Sequence, residues 1–426
     1  MRSQIPAVKR GLLAALVLGL LVALGASSAA GAASKPPAYG AKLRTLIPEA
    51  MKANAIPGAV VMIRSPKKGN WSATFGTAEL GKQVPMSLAD HFRIGSNTKT
   101  MTSTVILQLV EEGKLKLSDP IGNFVKGVPN GNRITIRELS EMRSGLYSYT
   151  FDPGFNATLD KNPKKGWTSA ELLKIAFGHK PNFAPGKEYE YCNTNIVLLG
   201  VVIEKLTGMS ASQAFEERIF KPLGMTHTEL PARTDWHLPA PHAQGYQFGT
   251  NVETIDSYAV AQADRAAVLD GSLKPLNDTD ANPSWAWTAG GAISTPADLA
   301  TYVKAMVGGG LLDKRTQQVR MNSIRPVVPG QKGGVGYGLG IAQFAPNILG
   351  HDGQLPGFSS FMVYDVKTGD TVIIADNLSA SPVTGENAAV ELGKVVLGTL
   401  DGNAIVPKGD AAAAPQRGGE QPGTPS

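Results

Sequence analysis

Apolar positions recur along this chain in two rhythms. Leu43, Leu46, Ile47 and Met51 fall on one stripe, which predicts an amphipathic helix over 41–54. Two β-rich runs follow, GAVVMIR at 58–64 and WSATFG at 71–76. The intervening SPKKGN makes them a predicted hairpin. A second hairpin is predicted near the other end, SSFMVYDV at 359–366 and TVIIAD at 371–376 around the turn KTGD, with a helix over 384–397 behind it. Between them the rhythm is helical, over 97–112, 169–178, 194–207 and 209–222, with long loops between the later segments. A lone hairpin is marginally stable, so the two hairpins are expected to share one sheet. The fold class is therefore α/β: an antiparallel sheet flanked by helices, built from both chain ends, with a mostly helical inserted domain. The boundaries that follow are 37–115 plus 286–401 for the α/β part and 116–285 for the helical part.

The two ends read differently. Arg2, Lys9 and Arg10 precede an almost wholly apolar stretch from Gly11 to Ala26, and Ala30-Gly31-Ala32 offers a cleavage site, so residues 1–32 are expected to be a signal peptide. That stretch is shorter than the ~20 residues of a membrane span. No stable span is expected after cleavage, and the destination is secreted or in the cell envelope. Residues 402–426 are rich in Gly, Ala and Pro and read as a flexible tail. Without residues 1–32 the net charge falls from +6 to +3, and no basic cluster is interleaved with aromatics, which argues against nucleic acid as a partner. The one cysteine, Cys192, leaves no internal disulfide to expect. None of the six histidines has zinc spacing, and neither metal nor cofactor is expected.

Candidate chemistry sits in FRIGSNTKTMT at 92–102. Ser96 follows Gly95, which permits a sharp turn, and Lys99 lies one turn on along the predicted helix. Ser96 can cap that helix or be a nucleophile whose proton goes to a buried Lys99. A Ser-x-x-Lys match alone is weak, and Ser65-Pro66-Lys67-Lys68 supplies a second in the hairpin turn. Context separates them. FRIGSNTKTMT resembles the first motif of the penicillin-recognising serine hydrolases: D,D-carboxypeptidases, class C β-lactamases and esterase relatives. The chain's only Tyr-x-Asn, Tyr191-Cys192-Asn193, stands where that family has its second motif. Its only His-x-Gly, His351-Asp352-Gly353, stands where the third falls, on an edge strand leading into LPGFSSFMVYD. Segments such as 115–125, 134–146, 219–228, 289–302 and 337–341 are also similar, so the resemblance covers about residues 40–400.

The resemblance implies the following roles. Ser96 forms an acyl-enzyme, Lys99 activates it, and Tyr191 takes part in acylation or deacylation and protonates the leaving group. Tyr191 would need nearby cations for this, which Lys99 and His351 could supply. Asn193 binds the acyl-side amide of the substrate, or else caps the helix behind it. His351 tunes charge in the site. Gly353 lets substrate approach the strand, and the N–H of Gln354 joins that of Ser96 as an oxyanion donor. Asp352 departs from the pattern, because carboxypeptidases often carry a small hydroxyl residue there for the substrate's terminal carboxylate. An acid pointing into the cleft would repel that group. The function expected is an exported serine hydrolase, D-alanyl-D-alanine carboxypeptidase-like, acting on a peptidoglycan stem peptide, an ester or a β-lactam. A carboxylesterase or D-aminopeptidase is the alternative among enzymes. A protein that binds penicillin or cell-wall peptides without turnover is the alternative of another class.

Overall fold

The computed structural model describes residues 36–330 and 334–401. The expected signal peptide and tail lie outside the described residues. The first helix, α1 (Ala38–Ala53), buries Leu43, Ile47 and Met51 as its stripe requires, while Leu46 faces solvent. Strands β1 (Gly58–Arg64) and β2 (Trp71–Gly76) form the first hairpin. Helix α2 (Asn97–Glu111) follows, then the interior helix α3 (Asn193–Thr207), the short α4 (Trp287–Gly290) and α5 (Pro296–Gly308). The remaining strands of the main sheet are β3 (Arg325–Pro326), β4 (Gly336–Tyr337), β5 (Ala342–Ala345), β6 (Ile348–Leu355), β7 (Phe358–Asp365) and β8 (Thr371–Asp376), and α6 (Ala388–Asp401) closes the described chain.

These strands make one antiparallel sheet in the order β2-β1-β8-β7-β6-β5-β4-β3. Strand β1 from the front of the chain pairs with β8 from the back, Val61 opposite Ile374, so the two predicted hairpins do share a sheet. The central strands β7 and β8 are almost continuously buried, as strands covered on both faces must be. Phe361 lies beside Gly393 of α6 and Tyr364 beside Gly308 of α5. Residues three apart on a strand point to opposite faces, which puts α6 on one face and α5 on the other. Helices α1 and α6 pack together on the first face, α2 packs directly on β6, and α2, α3 and α4 pack against one another.

The structure adds a strand that the sequence pattern did not predict. His351-Asp352-Gly353 lies within β6 itself, which pairs with β7 along its whole length. The expected edge strand is correct only locally. Strand β5 covers the other side of β6 as far as Gly350 and then stops, which leaves residues 351–355 with one free edge. The interior segment 209–222 is also more broken than its periodicity suggests. It runs as Ala211–Phe215, a π-helical stretch Glu216–Phe220, and Lys221–Leu223. Among the described residues no single helix is long and apolar enough to cross a membrane.

One buried charge in the sheet has a testable cost. Asp376 in β8 faces Ser359 in β7, is fully buried, and accepts from Ser359 Oγ at 2.8 Å and from the Leu378 amide at 3.1 Å. Burial pushes its carboxyl well above the usual range. A raised carboxyl pKa makes the folded state hold a proton that the unfolded chain releases, so wild-type stability falls as pH rises above about 4. Asp376→Asn keeps an acceptor without that linkage. It is expected to be more stable at pH 7 by roughly 0.5–2 kcal/mol, with an advantage in thermal melts that shrinks as pH is lowered towards 4. A variant less stable than wild type at pH 7 would show that Asp376 is held there as a needed anion.

Candidate active site

Ser96 stands at the mouth of α2. Gly95 before it has φ +52°, and a Cβ there would lie 2.3 Å from the Gln354 nitrogen of β6. The turn therefore needs glycine for its dihedral and for its contact. Ser96 occupies the N-cap position, yet its side chain caps nothing. Its hydroxyl is free for other work. It is also the only residue between His91 and Leu107 that is not buried.

Behind it, Lys99 is completely buried, with Nζ 2.8 Å from Ser96 Oγ and donating to the Ala289 carbonyl of α4 at 2.6 Å. Burial brings its ammonium down to about 7 from an ordinary value of 10.5, and the nearby Asp352 only partly opposes this. Near neutral pH a large share of Lys99 is the free amine, which can accept a proton from Ser96 while donating to Ala289. A serine hydroxyl beside an unprotonated amine in a dry pocket is an activated nucleophile.

Tyr191 closes the other side. Lys99 Nζ sits 4.7 Å from its ring centroid. The phenol is buried and pushed well above its ordinary pKa, first by burial and then by Tyr337. The Ser96 hydroxyl is near enough to offset part of this without making a well-formed hydrogen bond to Tyr191 Oη. Tyr191 is thus a neutral phenol able to donate a proton. Its ring lies 6.1 Å from that of His351.

His351 does not supply the cation expected of it. It is fully buried, and burial with the charge of Lys99 brings it down to about 3, so it is neutral. Its Nδ1 must donate to the Asp352 carbonyl at 2.6 Å, which leaves Nε2 to accept from Tyr337 Oη at 3.1 Å. The approach of His351 Nδ1 to the Asp352 carboxylate, 3.6 Å, is accordingly not an ion pair. Asp352 is 6% exposed. Asn387 Nδ2 donates to one of its oxygens at 3.4 Å and the other has no partner. Burial pushes its carboxyl up to about 6.

Gly353 also has a reason other than the one expected. A Cβ there would lie 1.9 Å from the Ile94 carbonyl, so the close approach is by the chain's own backbone ahead of Ser96. This contact brings the Gln354 nitrogen up against Gly95, the residue that turns the chain before Ser96. The free edge of β6 begins at His351, beside that turn.

Asn193 does not cap its helix. It is the first residue of α3, Cys192 stands at the N-cap with no capping bond, and the Asn193 amide donates instead to Ser148 Oγ at 3.1 Å. Its side-chain Nδ2 donates to Thr150 Oγ1 at 3.2 Å, which fixes the amide group with its oxygen available. Cys192 is buried, donates to the Leu146 carbonyl, and is held up to about 11 by burial, so it is an inert packing residue. Sequence reasoning missed Tyr337, Ser148, Asn387 and the Ala289 carbonyl. Tyr337 lay inside a segment noticed at 337–341, but a main-chain carbonyl carries no side-chain signal at all.

A family model described as Beta-lactamase matches residues 43–396. Among solved structures the chain is similar to a D-stereospecific amidohydrolase from Streptomyces sp., at 31% identity and a TM-score of 0.71, covering 86% of this chain and 100% of that one. It is similar also to D-amino acid amidase from Ochrobactrum anthropi SV3 in complex with D-phenylalanine, at 26% identity and a TM-score of 0.69, covering 85% and 100%. Among curated proteins, penicillin-binding protein 4* of Bacillus subtilis strain 168 is 27% identical over 317 residues, 71% of this chain. The chain spans 64% of the length of that relative.

Proposed function

This chain belongs to the Beta-lactamase family, a family of serine hydrolases of one fold, and on that premise we propose that it cleaves amides of D-amino acids or short D-peptides through an acyl-enzyme on Ser96. The observation that carries the reading is the buried Lys99 amine 2.8 Å from the hydroxyl of Ser96, the one residue of its turn that is not buried. Lys99 takes the Ser96 proton as Oγ attacks the carbonyl carbon. The amides of Ser96 and Gln354 receive the charge that develops on the carbonyl oxygen. Tyr191 gives its phenolic proton to the departing nitrogen and is reprotonated from Lys99. Water then attacks the acyl carbon, its proton passes to Lys99, and Lys99 hands that proton to Ser96 Oγ as the acyl–oxygen bond breaks, which releases the acid and restores the free enzyme. Asn193 and the free edge of β6 hold the acyl part.

The choice of an uncharged leaving group follows from Asp352. A buried acid with an unpartnered oxygen beside the third motif disfavours a substrate ending in a carboxylate and suits an amide or ester. The likeness to an amidohydrolase and an amidase, each covered over its whole length, points the same way. A wall-peptide D,D-carboxypeptidase is the second reading, supported by the likeness to penicillin-binding protein 4*. Action outside the cytoplasm is part of the proposal and is supported by the charged and apolar pattern of residues 1–32.

The test is turnover of D-alanine amide, a D-Ala-D-Ala peptide and a short-chain aryl ester across pH. Amide turnover exceeding peptide turnover is expected, and the reverse order would put the second reading first. Lys99 must be neutral to act as base, so kcat/KM is expected to rise with pH through about 7. Asp352, near 6 and close to Lys99, titrates with it, and the limb belongs to the pair. A flat profile between pH 6 and 8 would remove Lys99 as the base.

A further inference from the structure

Trp287, the first residue of α4, has φ +36°. Among the described residues other than glycine, Ala55, Asn130 and Met142 also have positive φ, and none of them carries a ring. A bulky side chain in that region strains the backbone, and the strain persists only where the surroundings hold it. Here they do. The ring is buried against α3, where a Cβ on Gly200 would fall 2.8 Å from it. The Arg233 guanidinium lies over the ring, 4.3 Å from its centroid, and 3.9 Å from Glu204 of α3.

The residues after it are pinned one by one. The Trp287 carbonyl accepts from the Gly291 amide at 2.6 Å. Thr288 Oγ1 donates to the Ile196 carbonyl of α3 at 3.1 Å, and the Thr288 carbonyl accepts from Thr102 Oγ1 of α2 at 2.6 Å. The Ala289 carbonyl then meets Lys99 Nζ at 2.6 Å. Gly290 lies against Gly95, since a Cβ on it would sit 3.6 Å from the Gly95 carbonyl carbon. One short turn therefore touches both the base and the residue that presents Ser96. The dihedral at Trp287 sets the direction of the carbonyls that follow it. Relaxing it to a right-handed value would swing the Ala289 oxygen off Lys99.

We infer that Trp287 is a positioning residue for acylation: its ring, seated on Gly200 and under Arg233, holds the backbone in the conformation that aims the Ala289 carbonyl at Lys99, and that carbonyl holds the amine on Ser96. The inference rests on the proposed role of Lys99 as the base. A carbonyl acceptor favours the ammonium over the free amine, so it also shares in setting where Lys99 titrates. The titratable groups around Lys99 are Asp352 and His351 of β6 and Tyr191 and Cys192 ahead of α3. Arg320 lies farther along α2, on Thr100 and Thr104.

The experiment follows the rate of Ser96 labelling by a fluorophosphonate across pH, which reads activation of the nucleophile whatever the natural substrate. Trp287→Ala removes the ring and cannot rest at that φ. Trp287→Gly removes the ring and rests there freely. Trp287→Phe keeps a ring. Labelling is expected to slow about 100-fold in Trp287→Ala, as a small misplacement of a catalytic group dictates, by less than about tenfold in Trp287→Gly, and least in Trp287→Phe. The rising limb of the rate is expected to move about half to one pH unit lower in Trp287→Ala, as the ammonium loses its acceptor, and to stay in place in the other two. Gly200→Ala is the independent variant, since its methyl displaces the ring and leaves every residue of α4 unchanged. It is expected to slow labelling and to move the limb the same way, and it decides the matter if Trp287→Ala does not fold. A ring that only packs would lower the melting temperature and move no limb. Labelling slower in Trp287→Gly than in Trp287→Ala, or a limb unmoved in Trp287→Ala or in folded Gly200→Ala, overturns the inference. A wild type with no limb at all removes Lys99 as the base instead. A wild type with the limb but no turnover of D-alanine amide sinks the amidase reading alone.

Discussion

Ser96→Ala is expected to form no covalent adduct with a fluorophosphonate or a fluorescent penicillin, and its turnover to fall by about 10⁴- to 10⁶-fold, the loss seen when a serine nucleophile is removed. The geometry makes the effect this large because the site has no substitute. Ser148 and Ser360 are buried, Ser148 engaged with Thr150 and the Asn193 amide and Ser360 with the Ile94 carbonyl and Asn97. The fold does not depend on the hydroxyl, since Ser96 caps nothing and its main-chain carbonyl still accepts from the Lys99 amide. Melting should therefore be unchanged within experimental error. Intact-mass spectrometry after a short incubation reads the adduct directly. An adduct of equal stoichiometry in Ser96→Ala would place the nucleophile elsewhere and end the mechanism.

Lys99→Met is expected to lower the acylation rate by about 10²- to 10⁴-fold, the range for a positioned general base, and at the same time to raise the melting temperature. The second half follows from linkage. A lysine lowered from 10.5 to about 7 makes the folded state bind fewer protons than the unfolded chain between those values. Wild-type stability therefore rises with pH across that window, and the cost is carried in full below pH 7. At 1.36 kcal/mol per unit that cost is on the order of 5 kcal/mol. Leaving the Ala289 carbonyl without its donor returns about 1–3 kcal/mol, so the net gain is a few kcal/mol. Methionine fills the space without charge. The advantage should be greatest below pH 7, vanish between roughly pH 8 and 10 where the two terms cancel, and reverse by about 10.5. Pre-steady-state acylation and melting curves over pH 6–10 check both halves. A variant that loses activity and stability together would mean that Lys99 is a structural ion and not a base.

Much of this was legible because the chemistry is local. Ser96 and Lys99 are three residues apart, so helix geometry alone brings them together once Gly95 sets the turn. The hairpins were legible because each closes on its own turn, and their union because lone hairpins are marginal. Strand β6 was not, since its sequence ILGHDGQL has neither alternation nor a β-branched run; its pairing with β7 is tertiary. The neutral state of His351 was equally hidden. It arises from full burial and from Lys99, which is 252 residues away in the chain. For Asn193 the sequence offers a cap as the alternative to substrate binding, whereas Ser148, 45 residues away, accepts from the Asn193 amide at that helix end.

The contact between Gly95 and Gly353 has an implication for anyone who would redesign this protein. Nucleophile turn and oxyanion strand meet backbone to backbone, with the Gln354 nitrogen and the Ile94 carbonyl where side chains would be. No residue acts as a spacer, so no substitution can widen or narrow the joint by degrees. It has one seating or none. A library that varies the joint will return mostly inactive clones, and new selectivity will come from the walls around residues 147–166 and 247–285, which can change shape while the reacting atoms keep their places.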